Sequence, residues 1–136
     1  MVVGAGKATA RMALAIEHIC GDKITNGCIV VKYGHTETLE YIHSVEAGHP
    51  IPDEKGVLGS REILSLCKKA DENTLVLNLI SGGGSALLPN PCHYRVAGRE
   101  LALTLPEKQT VTRHLLECGA TINEINCIRK HLSGIK

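Results

Sequence analysis

The stretch LVLNLISGGGSALL, Leu75 to Leu88, constrains this chain more than any other: a mostly apolar run stops in three consecutive glycines framed by Ser81 and Ser85. A short continuous apolar run predicts a strand covered on both faces, as a central strand of a parallel sheet is. Glycine lacks the Cβ that would hold a ligand away, and it accepts left-handed backbone, so consecutive glycines can present several main-chain N–H groups to an anion. A close-packed turn without a ligand would also use glycine. The flanking hydroxyls favour an anion site, with Ser81, Gly82, Gly83, Gly84 and Ser85 as its donors.

A second glycine turn lies at the start, in VVGAGKATARMALAIEHIC. Three apolar residues, a turn, and Ala8, Met12, Ile16 and Ile19 at helical spacing predict a strand tail, a loop and a helix. So few residues before the turn fall short of a normal strand, so the expectation is a fragment cut inside its first strand. Gly4-x-Gly6-x-x-Thr9 matches only half of a dinucleotide fingerprint, and the ribose-binding acid would have to be Asp22, too early and in a turn. It is not a Walker A motif, because Gly4 and Gly6 are one residue apart and Ala8 follows Lys7. What remains is Lys7 at a helix start, where a cation and the helix N-terminus can meet an anion together; a solvated lysine accounts equally well for this segment alone.

Elsewhere, GCIVVKYG and LEYIHSV are β-branched runs bounded by glycines and predict strands. Glu46 to Gly56, EAGHPIPDEKG, is an irregular loop delivering Asp53 as a helix N-cap, with a helix to about Lys69 that buries Val57, Leu64 and Cys67. Residues 89–103 have no sustained period and read as a loop or excursion. Thr104-x-x-Glu107 and Thr121-x-x-Glu124 are capping boxes, and Gly119 stops the first of the two helices they start. Strands alternating with helices predict an α/β layered fold with a mostly parallel sheet.

Charge is nearly balanced, 15 basic against 14 acidic residues, and there are three tyrosines with neither Phe nor Trp. Both facts argue against nucleic acid as a partner: there is no electrostatic excess and no set of stacking platforms. No apolar run approaches the roughly 20 residues of a membrane span, and no secretory h-region is visible. The six cysteines form no C-x-x-C pair and no zinc-ligand spacing, although a fold can bring distant ones together. They read as reduced thiols of a cytoplasmic protein.

Two further polar groups are candidates. GHPIPD holds His49 and Asp53 in one loop stiffened by prolines, either a pocket wall or a plain connector. NEINCIRKHLS places Asn123, Asn126 and Lys130 on one helix face beside Arg129 and His131, where cations also serve as partners of the helix dipole.

In order, VVGAGKATARMA, EAGHPIPDEKG, LISGGGSALLP and EKQTVTRHLLECGATINEINCIRKHLSGIK resemble the N-terminal domain of the glycerate 2-kinase family, an ATP-dependent class also met under hydroxypyruvate reductase labels. The resemblance spans nearly the whole chain except 92–103, which is longer and more basic than the family's Pro-rich connector. It implies a Rossmann-like domain, incomplete relative to a two-domain architecture, and transfer of the γ-phosphoryl of ATP to the 2-hydroxyl of D-glycerate with Mg²⁺. Lys7 would be the catalytic lysine of the G-x-G-K segment, joined by Gly4, Gly6, the Ser81–Ser85 loop, Arg129 and Lys130 as phosphate or substrate ligands, with His49 and Asp53 on the wall. The metal ligands are unassigned and expected from a C-terminal domain absent here, so little activity is expected of this chain alone. Homo-oligomer formation stays open. An NAD(P)-dependent hydroxypyruvate reductase and a non-catalytic sugar-phosphate or anion-binding module share parts of the pattern and remain alternatives at this point.

Overall fold

The computed structural model describes residues 1–136, apart from the side chain of Val96. Four parallel strands, β1 (Val2–Ala5), β2 (Gly27–Lys32), β3 (His43–Ala47) and β4 (Leu77–Ile80), lie in the order β3-β2-β1-β4. Helix α1 (Thr9–Cys20) links β1 to β2, and α2 (Glu54–Cys67) follows β3. A short helix α3 (Gly84–Leu87), a hairpin of β5 (His93–Val96) and β6 (Arg99–Ala102), and helices α4 (Leu105–Glu117) and α5 (Ile122–His131) complete the chain. The expected α/β fold with a parallel sheet is what the chain adopts. Among the described residues no helix is long and apolar enough to cross a membrane.

Strand pleating sorts the core into two layers, because alternate side chains leave opposite faces of a sheet. Ile29 and Val31 join Val2, Ala10 and Ala13 beneath α1, whereas Cys28 and Val30 join Val3, Ala47, Ile63 and Leu66 beneath α2. The helices dock closely because small residues face the sheet. A Cβ on Gly59 of α2 would stand 2.5 Å from Val30 Cγ2, and α1 turns Thr9, Ala10 and Ala13 inward.

That close approach explains two errors of phase in the helix expectations. Met12 and Ile19 are exposed, at 36% and 78%, because the small-residue stripe of α1, not its bulky one, meets the sheet. In α2, Val57 is buried as expected, but Leu64 is half-buried and Cys67 exposed, the buried positions being Gly56, Gly59, Ser60, Ile63 and Leu66. The helix ends at Cys67, two residues before the expected stop.

The apolar run at Leu75 is also corrected. Strand β4 covers only its last four residues and lies at the sheet edge, paired with β1, leaving Leu75 and Ile80 at 74% and 56% exposed. The two interior strands are β1, buried throughout, and β2, buried up to Lys32. Residues 89–103, read as a loop or excursion, contain the β5–β6 hairpin, whose tip residues Ala97 and Gly98 both have positive φ, +49° and +76°. That is the geometry of a two-residue primed turn, which matches the twist of the strands it joins.

Both capping boxes form, with Thr104 and Thr121 accepting from Glu107 N and Glu124 N. Gly119, at φ +73°, closes α4 with the paired bonds Gly119 N to Leu116 O and Ala120 N to Leu115 O of a Schellman motif. Asp53 caps α2 by accepting from Gly56 N at 3.0 Å.

One polar side chain holds the connection into β3. Glu17, 8% exposed on α1, accepts from the backbone N–H groups of Glu40 and Tyr41 at 2.8 Å and Ile42 at 2.9 Å. These bonds replace ladder pairing there, and β3 starts only at His43, four residues into the expected LEYIHSV strand. Hydrogen bonds to a charged group contribute about 1.5–3 kcal/mol each, and not additively. Glu17→Ala is therefore expected to lower stability by about 2–4 kcal/mol in urea unfolding, against less than half that for Glu17→Gln.

Candidate functional site

Strand order places β1 and β4 side by side, with the chain leaving β1 toward β2 on one flank and arriving at β4 on the other. This is a topological switch point, where the loops beyond the carboxyl ends of two strands diverge and leave a crevice. Both glycine loops of the sequence sit there: GAGK follows β1 and SGGGS follows β4.

The two loops are bonded to each other. Lys7 N donates to Gly82 O at 2.9 Å, Ala8 N to Ser81 Oγ at 3.0 Å, and the Thr9 and Ser81 hydroxyls meet at 3.0 Å. Gly6 makes this contact sterically allowed: at φ +145°, a Cβ there would lie 2.1 Å from Ser81 Oγ. Ser81 is thus the clasp between loops, and its hydroxyl already has protein partners.

The three glycines after it serve different needs. Gly84 abuts the β1 backbone, where a Cβ would come 2.9 Å from Ala5 O. Gly83 has φ +92°, and a Cβ would press on His49 Nε2 at 2.9 Å and Lys7 Cε at 3.4 Å. Gly82 has no protein atom within 4 Å of that position. Packing explains Gly84, conformation explains Gly83, and only open space faces Gly82. Among the described residues the N–H groups of Gly82 and Gly83 meet no protein acceptor.

These residues border a cavity of about 880 Å³, which also takes in Gly4, Lys7, His49, Ser85, Asn126 and Arg129. Arg129, 8% exposed, donates from Nη2 to Pro50 O at 3.1 Å and so ties α5 to the loop that carries His49. Burial holds its guanidinium below the usual range. The cavity lining contains Lys7, Arg129, Lys136 and His49 but, among the described residues, no Asp or Glu side chain. Such a set attracts anions and offers a hard divalent cation no oxygen-anion ligand.

A domain of unknown function, DUF4147, describes the family model that matches residues 1–136. Over 135 residues the chain is 46% identical to glycerate 2-kinase of Pyrococcus horikoshii, covering 99% of this chain and 28% of that protein. It is 43% identical to D-glycerate 2-kinase of Thermotoga maritima, covering 100% and 31%. The crystal structure of a Thermotoga maritima glycerate kinase aligns with a TM-score of 0.77 at 42% identity, again over 100% of this chain and 31% of that one. The chain belongs to the glycerate 2-kinase family. It spans roughly a third or less of the length of these relatives, and the match runs through 92–103 as well, the segment that the motifs left uncovered.

Within this glycerate 2-kinase family chain, Lys7, Gly4, Gly82, Gly83, Gly84, Ser81, Ser85, Arg129 and His49 come together around one cavity. Gly6 stands behind the lining, in the clasp. Asp53 and Lys130 are not among the lining residues: the Asp53 carboxylate accepts from Gly56 N and from Tyr33 Oη, 2.8 Å away, and Lys130 is exposed on α5. Sequence reasoning did not single out Lys108, which is 4% exposed and donates from Nζ to Pro89 O and Leu132 O. Burial lowers its pKa to about 8. A signal existed: Leu105, Lys108 and Thr112 share the buried stripe of α4. By holding the C-terminal carbonyl of α5, Lys108 steadies the helix that presents Arg129.

His49 is held below the ordinary histidine value of 6.5, first by burial and then by Lys7, Lys32 and Arg129. The folded protein therefore resists a proton that the unfolded chain accepts. The stability this represents is complete above about pH 6.5 and declines as pH falls through the lowered His49 titration. Urea midpoints measured at about pH 7.5 and about pH 5.5 should show this loss, and His49→Gln should remove it; an unchanged pH dependence in the variant would assign it to other groups.

Proposed function

We propose that this chain forms the phosphate-binding wall of a glycerate 2-kinase, which transfers the γ-phosphoryl of ATP to the 2-hydroxyl of D-glycerate and yields 2-phospho-D-glycerate and ADP. The observation that carries the reading is the meeting of Lys7 with the unpartnered N–H groups of Gly82 and Gly83 on one cavity lined, among the described residues, by no Asp or Glu side chain. Phosphoryl transfer asks a protein chiefly for positioning and for charge to offset that spread over the transferring group. Lys7 supplies the charge as the catalytic cation. Gly82 and Gly83, with Ser85, hold a phosphate or the glycerate carboxylate. Gly4 and Gly84 let the strand ends approach, and Gly6 and Ser81 keep the two loops in register.

Arg129 closes the far side as a second cation; Lys130, outside the lining, adds only to the field there. His49 and Asp53 act through the loop they belong to, His49 against Gly83 and Asp53 by capping α2. The residues present do not suit Mg²⁺, so no step is assigned to a metal here, and its ligands are to be sought outside these 136 residues. Six free cysteines and soluble substrates support a cytoplasmic setting.

The reductase alternative is disfavoured by Lys32, which ends β2 where a ribose-binding acid would be needed, while Asp22 sits before β2 in a 3₁₀ turn. Replacing the corresponding third of the Thermotoga maritima enzyme with residues 1–136 tests the kinase reading. The chimera should convert ATP and D-glycerate to 2-phosphoglycerate, and Lys7→Ala should lower kcat by about 100- to 1,000-fold, the loss typical of removing one charge-stabilising donor. A Lys7→Ala chimera with unchanged kcat would overturn the assignment. The isolated 136-residue chain should turn over far more slowly than the chimera, because one wall of a cleft cannot set the effective molarity of both reactants.

A further inference from the structure

Far from the glycine loops, at the amino ends of the strands, three side chains of metal-ligand type converge. Cys28 near the start of β2 and His43 at the start of β3 are direct register partners, so their side chains leave the same face of the sheet. Glu62 reaches them from α2, one turn beyond Gly59, whose missing side chain lets the helix lie against Val30. One ligand atom from each, the Cys28 Sγ, a His43 ring nitrogen and a Glu62 carboxylate oxygen, all lie within 4.8 Å of one another. His43 Nδ1 and Glu62 Oε1 already pair at 2.8 Å.

We propose that Cys28, His43 and Glu62 form a zinc-binding site that fastens α2 to the β2–β3 edge of the sheet. Thiolate, imidazole and carboxylate together match the ligand preference of a borderline-soft divalent ion. Tetrahedral zinc with bonds of about 2.0–2.3 Å needs ligand atoms roughly 3.4 Å apart. His43 and Glu62 have side chains 62% and 40% exposed, free to make the small rotations that this requires. A shallow cavity of about 430 Å³ beside His43 and Glu62 gives the ion entry and leaves room for water as fourth ligand. Cys28 itself is fully buried, which distinguishes it from the exposed Cys67, Cys118 and Cys127. On binding, the S–H proton passes to solvent and a sulfur–zinc bond takes its place, with no change of oxidation state.

The test is titration of the metal-free 136-residue chain with Zn²⁺, and with Co²⁺ as a spectroscopic stand-in. One equivalent of Zn²⁺ should bind, and Co²⁺ should produce a near-ultraviolet thiolate-to-metal band. Cys28→Ser should abolish that band. Because replacing a buried residue can itself disturb folding, His43→Ala and Glu62→Gln, both at exposed side chains, provide the second measure. Each should weaken Zn²⁺ binding by at least about 10-fold, the smallest loss that even an indirect supporting residue causes. The triple replacement of Cys67, Cys118 and Cys127 by Ser should leave binding unchanged. Absence of binding, absence of the thiolate band, undiminished affinity in both exposed variants, or loss in the triple variant would each overturn the site.

Discussion

The contact between Gly6 and Ser81 sets the rest of this molecule. Two strands whose chains depart in opposite directions would ordinarily leave two independent loops at their ends. Here the absence of one Cβ lets the Ser81 hydroxyl reach Ala8 N and the Thr9 hydroxyl, and Lys7 N reaches Gly82 O. Five groups that would otherwise need water are satisfied between the loops. The outward side of the clasp is then fixed: the Lys7 side chain and the Gly82–Gly83 backbone turn toward one cavity.

A second tier of contacts holds the opposite wall. The α5 helix carries Arg129 into a buried position, where its guanidinium meets Pro50 O and the helix end is gripped by Lys108. Two desolvated cations near each other are costly unless hydrogen-bonded or matched by an anion. Their protein partners here are carbonyls, which accept hydrogen bonds but do not cancel charge. His49 records the same field, its proton affinity lowered by burial and by the surrounding cations. A cavity lined by Lys7, Arg129 and Lys136 and by no Asp or Glu side chain among the described residues gains most from an anionic ligand, which is the physical basis of the phosphate-binding role proposed above.

Much of the fold could be read from the amino acids alone, for reasons that are local. Capping boxes at Thr104 and Thr121, the stop at Gly119 and the N-cap at Asp53 each involve residues within four positions of one another, so their chemistry is written in the spacing. The site was partly readable: glycine loops after apolar runs indicated where backbone would be bare, and the family motifs added Lys7 and Arg129. Misplaced were features decided by neighbours distant in sequence. The burial phase of α1 followed its small residues and not its bulky ones, and that of α2 was set by Gly56, Gly59 and Ser60 together with Val57, Ile63 and Leu66, because the sheet approaches too closely for Met12 or Leu64 to lie beneath the helix axis.

Sequence by itself determined most element types, the capped helix starts and the existence of two glycine turns at strand ends, since these depend on backbone conformation and bonds a few residues long; the β5–β6 hairpin and the end of α2 it did not. Only the tertiary structure decided that β4 is an edge strand beside β1, that Lys108 is buried, that Asp53 and Lys130 stand outside the cavity lining, and that Cys28 and His43 meet. Each of those outcomes is a pairing across many residues. Pairing energies of that kind depend on which surfaces the chain brings together, and no local pattern of residues encodes the partner.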